Sequence, residues 1–238
     1  YEIRLSLVGS EMCIRDRAME DCEALGEHAP AADKAIGWLL DNEVRHYGDW
    51  SQKVKGTEPG GWAFEYANQF YPDVDDTAVA LIVLARHRRD PKWQARGIDA
   101  VIERAVNWVL AMQCRGGGWA AFDRDNDAAI LTRIPFSDFG EALDPPSVDV
   151  TAHVLEALGV LGYDRHHPAV ERGVAFLRRE QEKDGSWWGR WGVNFIYGTS
   201  AALPALKAVG EDMRADYVTL SLIHISEPTR LRRISYAV

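Results

Sequence analysis

Three stretches of this 238-residue chain repeat the same residue types at nearly the same offsets, and that repetition restricts the fold more than any other feature. The first reads Lys34-Ala35-Ile36-Gly37-Trp38-Leu39, then Glu43 and Gly48-Asp49-Trp50; the second Arg104-Ala105-Val106-Asn107-Trp108-Val109, then Gln113 and Gly117-Gly118-Trp119; the third Arg172-Gly173-Val174-Ala175-Phe176-Leu177, then Gln181 and Gly185-Ser186-Trp187. Each predicts a helix that ends near the Gln or Glu and turns through Gly, which tolerates the left-handed backbone of a helix terminus. The Trp then returns against the helix just left. A second helical pattern runs over 76–84, 149–158 and 198–209, so the unit is two helices and a glycine turn, recurring about every 70 residues. Such pairs cannot bury their apolar faces alone and stack on their neighbours. With no strand alternation of useful length, the expected fold class is all-α: an αα-repeat toroid, or incomplete α/α barrel.

Composition excludes several functions. A net charge of −9 argues against nucleic acid, whose phosphates require a basic footprint. Three Cys without a CxxC pair provide neither a disulfide framework nor a zinc site. No apolar run is long enough to span a bilayer and no signal peptide is visible. Residues 1–17 and 220–238 match no period that continues into the neighbouring chain, and both are similar to translated sequencing-adapter read-through. The expected organisation is therefore an artefactual tail over 1–17, a partial α/α-barrel domain over 18–219 with repeats at 34–50, 104–119 and 172–187, and a second artefactual tail over 220–238.

Tyr71-Pro72-Asp73-Val74-Asp75-Asp76-Thr77-Ala78 crowds three carboxylates into four residues just before an apolar helical pattern. Like charges this close raise one another's pKa, which favours retention of a proton within the cluster. A cluster of this kind caps a helix, ligates a cation or handles protons. Asp149 and His153, four apart, share one face of the helix they begin. In a helix-pair stack the loops before the 76 and 149 helices, including Pro59-Gly60-Gly61-Trp62 and Asp144-Pro145-Pro146, open on one end of the bundle, where function is expected.

The repeats resemble the QW motif of triterpene cyclases, and Asp73-Val74-Asp75-Asp76-Thr77-Ala78 resembles the DxDDTA motif of the squalene–hopene cyclases. The order of the remaining pieces agrees, through Ile134-Pro135-Phe136-Ser137-Asp138-Phe139-Gly140-Glu141 and Asp144-Pro145-Pro146-Ser147-Val148-Asp149 to Gly189-Arg190-Trp191-Gly192. The likeness covers essentially the whole of 18–219 but a minority of the family's length. The related oxidosqualene cyclases carry a different acidic motif, DCTAE. The resemblance implies that Asp75 protonates a terminal alkene of squalene, with His153 as its hydrogen-bond partner and Asp73, Asp76, Asp149 and His153 arranging and reprotonating it. It places Trp50, Phe64, Phe122, Phe139, Trp191 and Tyr197 at aromatic cavity positions; some relatives have Tyr where Phe122 stands. It further implies hopene or hopanol as product, no cofactor and no metal, peripheral attachment to the cytoplasmic face of the bacterial membrane, and room for a homodimer.

These residues suit the chemistry. An isolated alkene is a very weak base, so its protonation requires a strong acid in a dry site, and aromatic faces stabilise the migrating cation without trapping it. The Gln and Trp of the repeats hold helices together and take no part in catalysis. Three other readings compete. A class II diterpene cyclase shares the DxDD acid but acts on a diphosphate with Mg²⁺; the QW density and the absence of a basic diphosphate site weigh against it. An α/α-barrel glycosidase would use paired carboxylates. A non-catalytic α/α-repeat binding module would use the acids as caps only. Under the cyclase reading the 238-residue fragment is expected to be inactive and poorly soluble, because it carries the acid but not the whole cavity.

Overall fold

The computed structural model describes residues 25–64, 68, 70–127, 143–192 and 194–226. Phe139 lies outside them. Nine helices follow one another: α1 (Leu25–Asp41), α2 (Trp50–Lys53), α3 (Val74–His87), α4 (Pro91–Gln94), α5 (Ile98–Ala111), α6 (Val148–Val160), α7 (Pro168–Arg179), α8 (Asn194–Ala208) and α9 (Asp216–Ser226), among the described residues. Two two-residue strands, β1 (Trp62–Ala63) and β2 (Pro72–Asp73), pair antiparallel with Trp62 opposite Asp73.

The helices form two layers. α3, α6 and α8 lie side by side as an inner row, and each packs on the outer helix that follows it: α5 on α3, α7 on α6, α9 on α8. Sequence pattern decides which layer a helix joins. α3 is buried without a break from Asp76 to Leu84, and α6 is buried at every position from Val148 to Leu158 except His153; helices apolar on all sides are interior helices. α7 buries Ala169, Val170, Gly173, Val174, Phe176 and Leu177 and exposes Glu171, Arg172, Arg178 and Arg179. That is the 3.6-residue period of a helix with one wet face. The all-α repeat architecture is therefore the one expected.

The repeats close through a recurring set of bonds. Trp119 donates its indole N–H to the Val109 carbonyl at 2.7 Å, and Trp187 donates to Leu177 at 2.7 Å. The first repeat makes this bond with Trp62, which donates to Leu39 at 2.9 Å, and not with Trp50, the residue nearest the expected offset. Three backbone bonds agree: Cys114 N–H to Gly118 O, Glu182 N–H to Ser186 O and Val44 N–H to Gly61 O each join the residue after the Gln or Glu to the one before the Trp. The extra chain between Glu43 and Trp62 loops out and carries α2.

A threonine in each inner helix completes the closure. The backbone N–H of Trp62, Trp119 and Trp187 donates to Thr77, Thr151 and Thr199 at 3.0, 2.9 and 3.0 Å, and all three hydroxyls are fully buried. The position two residues before the threonine is Asp75, Asp149 and Tyr197 in turn. The repeat thus delivers three polar side chains to one end of the inner layer.

Between repeats, the Gln113 amide donates to the carbonyls of Gly117 and Ala169, both at 2.8 Å, and accepts from the Arg172 guanidinium. Glu43 takes a two-pronged bond from Arg104, at 2.8 and 2.6 Å. Gln181 donates to Gly185 and Tyr217 at 3.0 and 2.7 Å, but the position matching Arg104 and Arg172 holds Leu220. The glycines two residues before each Trp allow this contact. A Cβ on Gly60, Gly117 or Gly185 would lie 2.9, 2.5 or 3.0 Å from the carbonyl oxygen of Arg104, Arg172 or Leu220. α9 continues through Thr219 to Ser226, so the helix crosses the position at which the sequence period stops.

Candidate active site

Asp73 is the N-cap of α3: its extended backbone turns the chain and its Oδ1 accepts from the N–H groups of Asp75 and Asp76 at 2.6 and 3.1 Å. Such a cap contributes ~1 kcal/mol to a helix. Of the three acids only Asp73 precedes the helix; Asp75 and Asp76 stand in its first turn, where the helix dipole favours negative charge. Asp73 is also the residue paired with Trp62, and its carbonyl accepts from the Thr77 hydroxyl at 2.6 Å. Burial, together with the charges of Asp76 and Asp75, pushes the Asp73 carboxyl well above the usual range, against the pull of its two N–H donors. Burial and the neighbouring charges thus shift Asp73 toward its protonated form.

Asp75 points across to α6. Its Oδ1 lies 2.6 Å from His153 Nδ1, and both side chains are mostly buried. Desolvation works against an imidazolium, but the charge and hydrogen bond of Asp75, with Glu156 and Asp149 behind it, raise His153 above its ordinary 6.5. The edge of Tyr197 meets the His153 ring, with centroids 6.2 Å apart and planes at 85°. Its hydroxyl is pushed up to about 12 by burial and by the charges of Asp75 and Asp149, so it stays a neutral donor.

Asp149 is buried in the first turn of α6. Its Oδ1 accepts from the Ser147 hydroxyl at 2.5 Å, and its Oδ2 from the Trp191 backbone N–H at 2.7 Å. Trp191 meets Phe122 edge-on, with centroids 6.3 Å apart. Ala121, the neighbour of Phe122, accepts through its carbonyl from Val74 N–H at 2.7 Å, at the start of the acid helix. The contacts close a ring: Asp75 to His153, along α6 to Asp149, to Trp191, to Phe122, to Ala121 and back to α3.

Of the expected site residues, Asp73, Asp75, Asp76, Asp149, His153, Tyr197, Trp191 and Phe122 thus gather at one end of the inner layer. Phe64, just beyond β1, is exposed. Trp50 departs from its expected place on a cavity wall: it is buried in the core, edge-on to Trp108 and stacked with Tyr47. Sequence reasoning missed Thr77, Thr151 and Thr199, although a threonine two residues after Asp75, Asp149 and Tyr197 was there to be seen. It gave no role to Asp144 or to Glu156, a buried carboxylate one turn beyond His153. The acids already accept bonds, Asp73 from two N–H groups and Asp75 from the imidazole, and no metal-holding group of His, Cys, Asp or Glu occurs among the described residues.

Helix-pair repeats closed by Gln and Trp, with a capped acid turn facing a histidine, define the helical terpene cyclases. The chain belongs to the family described as Squalene-hopene cyclase C-terminal domain, whose sequence model matches residues 11–228. It is 50% identical over 177 residues to a squalene–hopene cyclase of Alicyclobacillus acidocaldarius, covering 74% of this chain and 28% of that protein. It is 47% identical over 191 residues to one of Bradyrhizobium diazoefficiens, covering 79% and 29%. Dammaradiene synthase of the fern Dryopteris crassirhizoma is 44% identical over 192 residues, covering 76% and 27%. The chain thus spans less than a third of the length of these relatives. A crystal structure of a protein from Actinoplanes shares the fold, with a TM-score of 0.50 and 23% identity over 79% of this chain and 47% of that one.

Proposed function

We propose that this chain carries the proton-donating acid and part of the aromatic wall of a squalene–hopene cyclase, an isomerase that converts squalene to hopene or hopanol. The observation that carries the reading is the Asp75–His153 contact between two inner helices, beside the buried cap Asp73. Once the Asp75–His153 pair has taken up a second proton, Asp75 gives that proton to a terminal alkene carbon, leaving a tertiary cation and an Asp75 carboxylate beside the imidazolium. That carboxylate is stabilised by the imidazolium and by the N-terminus of α3. Asp73, Asp76, Asp149 and His153 position the acid and return its proton. Phe64, Phe122, Trp191 and Tyr197 present aromatic faces to the cation as it migrates, and the family resemblance assigns the same role to Phe139, which lies outside the described residues.

The complete enzyme would take its apolar substrate from one face of the membrane, on the cytoplasmic side, as a peripheral protein and with room for a homodimer. No helix among the described residues is long and apolar enough to cross a membrane. The test is Asp75→Asn in a complete cyclase carrying these residues. Loss of squalene conversion with the fold intact supports the assignment, and unchanged product formation overturns it.

A further inference from the structure

Asp144 stands outside the acid cluster and had no role assigned to it, yet its carboxylate accepts from three successive backbone N–H groups at the wall. Its side chain is buried. Its Oδ2 accepts from the backbone N–H of Phe122 at 2.6 Å and of Asp123 at 2.8 Å, and its Oδ1 from Ala121 N–H at 3.3 Å. Its own N–H donates to Asn126 O at 3.0 Å, so the carboxylate reaches the turn from the far strand of a short bridge. Three successive N–H groups around one carboxylate leave that turn a single conformation, and the charge-assisted bonds are the strong kind.

The turn held in this way is, with the loop of Trp191, one of two segments of the contact ring that lie outside α3 and α6. On one side its Ala121 carbonyl holds Val74, next to the Asp73 cap; on the other, the Phe122 ring meets Trp191. Phe122 has no polar anchor of its own, and its backbone position fixes the distance between the first aromatic face and the acid. We infer that Asp144 is a positioning residue that sets product specificity, by clamping the 121–123 turn so that the Phe122 face stands where the early cation forms. The inference rests on the cyclase reading above.

If the face is displaced, an early cation loses its stabilising partner. It then ends prematurely, either by losing a proton to give an alkene or by adding water and releasing a proton to give an alcohol. The experiment is Asp144→Asn in a complete cyclase, with squalene as substrate and the isomeric products separated by gas chromatography. The amide keeps the volume and one acceptor oxygen, but it removes the charge that strengthens all three bonds and sets an NH₂ against one of the N–H groups of the turn. The expected result is a rise of about tenfold in the ratio of early-terminated to fully cyclised product, the size of one lost cation–π contact. Phe122→Ala should give the same early products, and the double variant should add nothing to the shift.

An unchanged ratio overturns the inference, whether or not turnover falls, because a merely structural role lowers all products together. A variant that never accumulates in folded form assigns Asp144 to folding alone and also overturns it. A wild-type enzyme that makes no cyclised triterpene from squalene instead sinks the cyclase reading on which the inference rests.

Discussion

Trp62 and Leu39 are joined by an indole N–H to carbonyl bond of 2.9 Å, the bond that Trp119 makes to Val109 and Trp187 to Leu177. Trp50, which sits nearer the repeat offset, makes no such bond, and its buried indole N–H has no hydrogen-bond partner among the described residues. Replacing either Trp by Phe keeps an aromatic in the core, but only Trp62→Phe removes a hydrogen bond, leaving the Leu39 carbonyl with the longer bond from Asn42 N–H at 3.3 Å alone. Trp62→Phe is expected to cost about 1 kcal/mol more than Trp50→Phe in denaturant unfolding of the 238-residue chain. Equal costs would remove Trp62 from the repeat.

His153 and Asp75 couple stability to pH. The folded-state pKa of His153 is raised, chiefly by Asp75 acting against desolvation, with Glu156 and Asp149 adding to it. The pair's contribution is therefore fully present below the unfolded value of 6.5 and is lost as pH rises through the raised folded value. Melting temperature followed across this window should fall for the wild type relative to His153→Gln. Parallel curves for the two proteins would mean that the imidazole carries no charge in the fold.

Asp73 titrates with the opposite chemistry but the same slope. Its folded pKa is raised by burial and by Asp76 and Asp75, so the folded chain holds a proton that the unfolded chain has released above 3.8. Stability from this group is complete below 3.8 and declines as pH climbs through the folded value. Asp73→Asn keeps a capping oxygen and cannot ionise, so it should match or exceed the wild type at neutral pH. Asp73→Ala removes the cap and should lose ~1 kcal/mol even in acid. Chemical denaturation at pH 4 and pH 7 separates the two effects, and an Asn variant weaker than Ala would contradict both.

The third repeat lacks the arginine of the other two. Leu220 lies three residues past Tyr217, as Arg172 lies three past Ala169, and Tyr217 and Ala169 each accept from the repeat Gln. Leu220→Arg supplies a donor for Gln181 and should raise the melting temperature by roughly 2–4 °C if the bond contributes ~1 kcal/mol. Arg172→Leu, at the equivalent junction, should lower it. A Leu220→Arg protein no more stable than its parent would show that the third junction is not equivalent.

Helix type and layer were legible in the sequence because the 3.6-residue period and the Gln-to-Trp offset are local quantities. The acid turn was legible for the same reason, since capping is decided within four residues. The first repeat was misread because the inserted chain carrying α2 placed Gly48-Asp49-Trp50 closer to the expected offset than Gly60-Gly61-Trp62, although the latter duplicates Gly117-Gly118-Trp119 in its residues. Contacts between repeats leave no such trace. No spacing rule brings Asp75 to His153 or Asp144 to Phe122, and the first of these came only from a family likeness. Trp50 shows the converse limit: an aromatic can match a wall position by order along the chain and still be turned into the core by its neighbours Tyr47 and Trp108.

The glycines two residues before each repeat Trp bear on more than local geometry. Because a single methyl at Gly60, Gly117 or Gly185 would collide with the next outer helix, the wedge between successive pairs is as narrow as two backbones permit. Curvature in a ring of stacked units is the sum of such wedges. An alanine at any one junction would widen the arc there and carry every later inner helix away from the acid, so the absence of three methyl groups sets the radius on which the cavity closes.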